Sequence, residues 1–129
     1  YVKKGANKTF VIVDAGMTEL IRPTLYEAFH DIHPVKEAST TTPRLIADVV
    51  GPVCETGDYL ALDRDMAEVK EGDLLAIMSA GAYGAVQSNS YNTRPLVPEV
   101  LVNGSDYAII RPRVDVDALI AMDRIPDWL

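Results

Sequence analysis

The residues best suited to chemistry in this 129-residue chain lie in three short stretches. The first is GPVCETGD, residues 51–58, which sets the chain's one cysteine, Cys54, beside Glu55 and shortly before Asp58. A thiol serves as nucleophile or as acid according to its protonation. Two carboxylates in the same turn-rich segment disfavour a thiolate, so the pattern favours a neutral thiol that donates a proton. The same carboxylates suit a cationic group on a ligand. The competing reading is a half-buried cysteine acting as a small apolar residue.

The second stretch, IRPTLY, separates Arg22 from Tyr26 by one helical turn, on a shared side if Pro23 opens that turn. Arg22 carries the planar fork that grips a carboxylate through two parallel hydrogen bonds. Its alternative is a surface ion pair with Glu19 or Glu27. In the third stretch, AGAYGA, Tyr83 stands between small residues that leave room for a flat group to approach. Tyr26 and Tyr83 read equally well as packing residues with their hydroxyls at the surface. His30 and His33 are too few for a histidine metal centre, lie outside any HExxH pattern, and read as loop or helix-end residues. No metal site is expected, and a lone cysteine excludes an internal disulfide or a Cys-rich zinc site.

Composition narrows the partners. Twelve Lys and Arg against nineteen Asp and Glu give a net charge of -7, which argues against nucleic acid and against an anionic membrane surface. No run approaches the ~18 apolar residues of a membrane span, and YVKKGANK lacks the apolar core of a signal peptide. The expected location is cytoplasmic, or plastid if a transit peptide precedes Tyr1.

Short strands must position these residues. TFVIVDAG reads as a buried strand stopped at Gly16, followed by two short helical turns broken at Pro23. RLIADVVGPV reads as a strand ending at Gly-Pro, and CETGDYLALDRDM as an irregular stretch. A turn at Glu71–Asp73 leads to a strand, LLAIMS, and then the glycine-rich AGAYGA. PEVLV and YAIIR read as strands flanking the hairpin signal Asn103-Gly104, and DVDALIAMDRIPDWL holds a short helix before Pro126. Many short strands between turn pairs predict a mainly β fold, a small barrel or sandwich. No GxGxxG or GxxxxGK loop follows a strand, so no nucleotide fold is expected.

VDAGMTELIRPTLYEAFHDI, DVVGPVCETGDYLALDRDM, GDLLAIMSAGAYG and SNSYNTRPLVPEVLV, taken in this order, resemble the C-terminal part of the diaminopimelate decarboxylases. These are fold-type III enzymes that use pyridoxal 5'-phosphate to make L-lysine from meso-diaminopimelate. The resemblance implies that residues 1–129 form a β-barrel domain like the C-terminal domain of alanine racemase, part of a longer enzyme. An N-terminal (β/α)₈ barrel would carry the Schiff-base lysine and the cofactor phosphate site, leaving this chain inactive alone.

The resemblance also implies roles. Arg22 and Tyr26 look like substrate binders, with Arg22 on a carboxylate. Tyr83 looks like the tyrosine that touches both cofactor and substrate. Cys54 and Glu55 look like a pair lent across a homodimer interface, Cys54 as proton donor and Glu55 as the group that recognises the substrate's distal ammonium. Tyr91-Asn92 is similar to a stretch near the same cleft. Related ornithine, arginine, carboxynorspermidine or D-amino acid decarboxylases share the arrangement, and a noncatalytic β-barrel interaction module is the alternative from another class.

Overall fold

The computed structural model describes residues 1–129. The apolar runs recognised in the sequence become the strands β1 (Val2–Lys4), β2 (Thr9–Ile12), β4 (Arg44–Val50) and β5 (Tyr59–Ala67), hydrogen-bonded in the order β1-β2-β4-β5. β2 and β4 run parallel, with Val11 opposite Val49, and the other neighbours are antiparallel. A parallel pair needs a long connection. This one carries α1 (Arg22–Tyr26) and β3 (Ile32–Pro34). β3 pairs with β6 (Leu75–Ile77), and their side chains close over the larger sheet. Val11, Leu20, Ile32, Val49, Leu60 and Met66 form the centre of the core.

The mainly β fold with short helices agrees with the composition of turns and strands. Pro23 sits in the first turn of α1, where its missing N–H costs nothing, and Glu27 ends the helix in the left-handed region at φ 54°. Asp115 caps α3 (Val116–Ile120) by accepting from the Ala118 N–H at 2.8 Å. β7 (Glu99–Asn103) and β8 (Asp106–Arg111) form the expected hairpin, with Gly104 at φ 59° opening a two-residue loop. Residues 100–111 of this hairpin are exposed on both faces.

Two expectations need correction. Only the first part of CETGDYLALDRDM is irregular; Tyr59–Ala67 is a nine-residue strand. Its alternation is disguised by an irregular register opposite Asp48, where Asp63 adopts φ 46° and its N–H donates to Asp48 Oδ1 at 2.7 Å. His33 lies within β3 and not in a loop or at a helix end, whereas His30 is in the loop after α1 as expected, where it is buried, 3% exposed, and its Nδ1 donates to the Met78 carbonyl at 3.0 Å. The glycine-rich AGAYGA, which the sequence assigns to no element, is helical, α2 (Gly81–Val86), with Gly84 placed where a Cβ would stand 3.3 Å from that of Ala80.

Candidate functional site

Cys54 lies in the loop between β4 and β5, and its side chain is exposed. The loop is organised from beneath by Asp58, which is 4% exposed. Asp58 Oδ2 accepts from the Val53 N–H at 2.6 Å, and Oδ1 accepts from the Met17 N–H at 2.7 Å. Its own N–H donates to the Glu55 carbonyl and its carbonyl accepts from Gly51, both at 3.0 Å. Gly16 and Gly51 are glycine because a Cβ at either place would run into the Asp58 carboxylate. Glu55 is exposed, and its Oε1 accepts from the Gly57 N–H at 3.4 Å. Gly57 itself is pressed against Thr24 of α1, whose Oγ1 would stand 2.8 Å from an added Cβ. The loop is thereby fixed against the helix that carries Arg22 and Tyr26.

Arg22 and Tyr26 do share a side of α1. The Arg22 guanidinium carbon lies 5.8 Å from the Tyr26 ring centre and 5.7 Å from that of Tyr83 on α2. Both rings are largely exposed, 58% and 62%. Arg22 forms neither of the ion pairs considered from the sequence: Glu19 is taken by Arg94 at 3.3 Å, and no carboxylate reaches the Arg22 guanidinium. A guanidinium held between two aromatic faces and left without an anion is poised for a carboxylate brought by a ligand. Gln87 Nε2 donates to the Tyr26 hydroxyl at 3.5 Å, which ties α1 to α2.

Arg94 supplies a second brace. Its Nε donates to Thr18 Oγ1 at 3.0 Å and its Nη2 to the Asp14 carbonyl at 2.7 Å. Glu19 Oε2 accepts from the Gly16 N–H and from the Thr18 hydroxyl at 2.7 and 2.8 Å. The segment leading into Arg22 is therefore held by the stretch that follows the 3-10 turn at Tyr91–Thr93.

Of the residues singled out in the sequence, Arg22, Tyr26 and Tyr83 form one cluster and Cys54 with Glu55 another. No hydrogen bond or ring contact joins the two groups. The bracing roles of Arg94 and Gln87 had no sequence signal, because each depends on a contact distant along the chain. Asp58 had one, the pairing of Gly51 with an acid seven positions later around the cysteine. A cavity of 520 Å³, lined by Val11, Ile12, Val49, Leu75 and Ile77 among others, contains none of the five candidate residues.

Comparison with known proteins places the chain in a family. The chain is 49% identical over 128 residues to a diaminopimelate decarboxylase of Zymomonas mobilis, covering 99% of this chain and 30% of that protein. A crystal structure from Aquifex aeolicus superimposes with a TM-score of 0.89 at 47% identity, covering 97% of this chain and 31% of the other. The M. jannaschii diaminopimelate decarboxylase in complex with L-lysine gives 0.90 at 34% identity, over 100% of this chain and 29% of that one. The chain thus spans less than a third of the length of these relatives. Residues 1–81, which include Arg22, Tyr26, Cys54 and Glu55, match the family described as pyridoxal-dependent decarboxylase, C-terminal sheet domain, and the chain belongs to that family.

Proposed function

We propose that this chain is the C-terminal domain of a diaminopimelate decarboxylase, contributing substrate-binding and proton-donating groups to the conversion of meso-diaminopimelate to L-lysine and carbon dioxide. The observation that carries this reading is Arg22, a guanidinium flanked by two tyrosine rings and unpaired with any carboxylate. The high identity to diaminopimelate decarboxylases over almost the whole chain supports the choice of substrate.

Pyridoxal phosphate fits the residues this chain presents. Tyr83 carries its hydroxyl on an exposed ring, and a Cβ at neighbouring Gly81 would meet nothing within 4 Å, so the helix start leaves space for a flat ring. Tyr83 would touch the cofactor from this side. Its phosphate site and covalent lysine belong to a (β/α)₈ barrel outside residues 1–129. When bound, the cofactor supplies the sink for the electron pair left by departing carbon dioxide.

The chain's own residues do the rest. Arg22 binds a substrate carboxylate through two parallel hydrogen bonds, and Tyr26 and Tyr83 keep its guanidinium from swinging away. Glu55 offers an anion to the distal ammonium of the substrate. Cys54 holds a proton on Sγ and delivers it to the carbon that has lost its carboxylate. In this scheme, as the family resemblance implies, Cys54 and Glu55 serve the site of a second copy in a homodimer.

The test is lysine and carbon dioxide release by the full-length enzyme with pyridoxal phosphate, given meso-diaminopimelate with ornithine and arginine as competitors. Exclusive turnover of meso-diaminopimelate is expected. Preference for ornithine or arginine would overturn the reading of Glu55, and no turnover with cofactor bound would favour a noncatalytic module.

A further inference from the structure

We infer that Asp58 is a positioning residue for catalysis, whose buried carboxylate fixes the Cys54–Glu55 turn in register with the segment that leads into Arg22. The inference rests on the roles proposed above for Cys54 and Arg22. Four hydrogen bonds converge on this one residue. Two, from Val53 N–H to Oδ2 and from Asp58 N–H to the Glu55 carbonyl, bracket Cys54 on both sides in sequence. A third, from Gly51 N–H to the Asp58 carbonyl, closes the base of the loop. The fourth, from Met17 N–H to Oδ1, leaves the loop and reaches the turn five residues before Arg22.

The chemistry of the residue is specific. No cation pairs with Asp58; its negative charge is held by backbone donors alone. Burying such a charge is expensive unless each oxygen is hydrogen-bonded, and both are. An amide of the same shape would keep one accepting oxygen but set its NH₂ against the second backbone N–H, donor facing donor. A polar side chain is therefore not enough; a carboxylate is needed. Gly16 and Gly51 point the same way, since both have given up a side chain where the carboxylate sits.

The variant that tests this is Asp58→Asn in the full-length holoenzyme, assayed well below its melting temperature beside Cys54→Ala. A purely structural role lowers the melting temperature but leaves folded molecules working normally. A positioning role lowers kcat at least tenfold and changes the rate of Cys54 alkylation by iodoacetamide at least fivefold, with pyridoxal phosphate still bound. Wild-type kcat and alkylation rate, each within twofold, would overturn the inference. The alkylation rate separates the two ideas. If Cys54→Ala retains normal turnover, the proton-donor role fails, yet a changed alkylation rate in Asp58→Asn still upholds the positioning of the turn. Should Asp58→Asn not fold, amide hydrogen exchange in the wild-type enzyme decides: slow exchange at both Met17 and Val53 supports the inference, and exchange of Val53 at the rate of an open loop refutes it.

Discussion

Replacing Arg22 separates binding from folding, because the structure assigns this residue almost nothing to hold within its own chain. Its guanidinium makes no ion pair, only two ring contacts at 5.7 and 5.8 Å, near the outer limit for a cation over an aromatic face. At exposed sites such contacts are worth about 0.5–1 kcal/mol at their best, so Arg22→Ala should cost at most about 1–2 kcal/mol of stability. The loss in binding is larger. Two charge-assisted hydrogen bonds to a carboxylate, each worth about 1.5 kcal/mol at the low end, sum to about 3 kcal/mol, or roughly 150-fold in kcat/KM. Arg22→Lys keeps the charge but not the fork, and giving up one bond of about 1.5 kcal/mol predicts a loss of about tenfold. The assay is lysine release by the full-length enzyme over a range of meso-diaminopimelate, with thermal melts of the same samples. The effect should fall mainly on KM. A KM within twofold of the parent, or a lysine variant as poor as alanine, would refute the carboxylate role.

Other perturbations should separate in the same way. Cys54→Ala should lower kcat by about 100-fold or more with little change in KM, the usual scale of lost proton transfer; an unchanged turnover number excludes it as the proton donor. Gly51→Ala drives a methyl group into the Asp58 carboxylate and should destabilise the domain by about 1–3 kcal/mol, as overpacking does, measured by thermal or urea melts. Lys8 has a pKa raised first by its hydrogen bond to Asp48 and then by that to Asp63. Its contribution to stability is therefore complete below the unfolded lysine value of about 10.4 and fades as pH rises through the higher folded value. The gap in melting temperature between the parent and Lys8→Met should narrow above about pH 10.4, and a gap that widens there contradicts the pairing.

Much of the candidate site was legible because its chemistry is carried by residues close together in sequence. Arg22 and Tyr26 needed only the helical repeat and a proline suited to a first turn, and both are on one side of α1 as expected. The loop at Cys54 followed from the turn residues around it. What failed was everything that depended on a distant partner. The strand β5 was hidden because Asp48 accepts the N–H of Asp63 and breaks the alternation on which strand reading relies. His33 falls in a strand because it pairs with Ala76 of β6, distant along the chain, and no local pattern announces such a partner. The helix at AGAYGA had no apolar periodicity to announce it.

The packing around Asp58 also divides GPVCETGD into two kinds of constraint. Gly51 and Asp58 answer first to the fold, since either change leaves backbone donors stranded or atoms colliding, while Cys54 and Glu55 project outward from the turn that Asp58 holds and answer to what they meet there. Selection for expression and solubility over this octapeptide would hold the glycine and the aspartate and let the cysteine and glutamate drift; selection for the proposed decarboxylation would hold all four. The same eight letters thus record two histories, one written by folding and one by the reaction, and a lineage that lost the reaction would erase the second while still preserving the first.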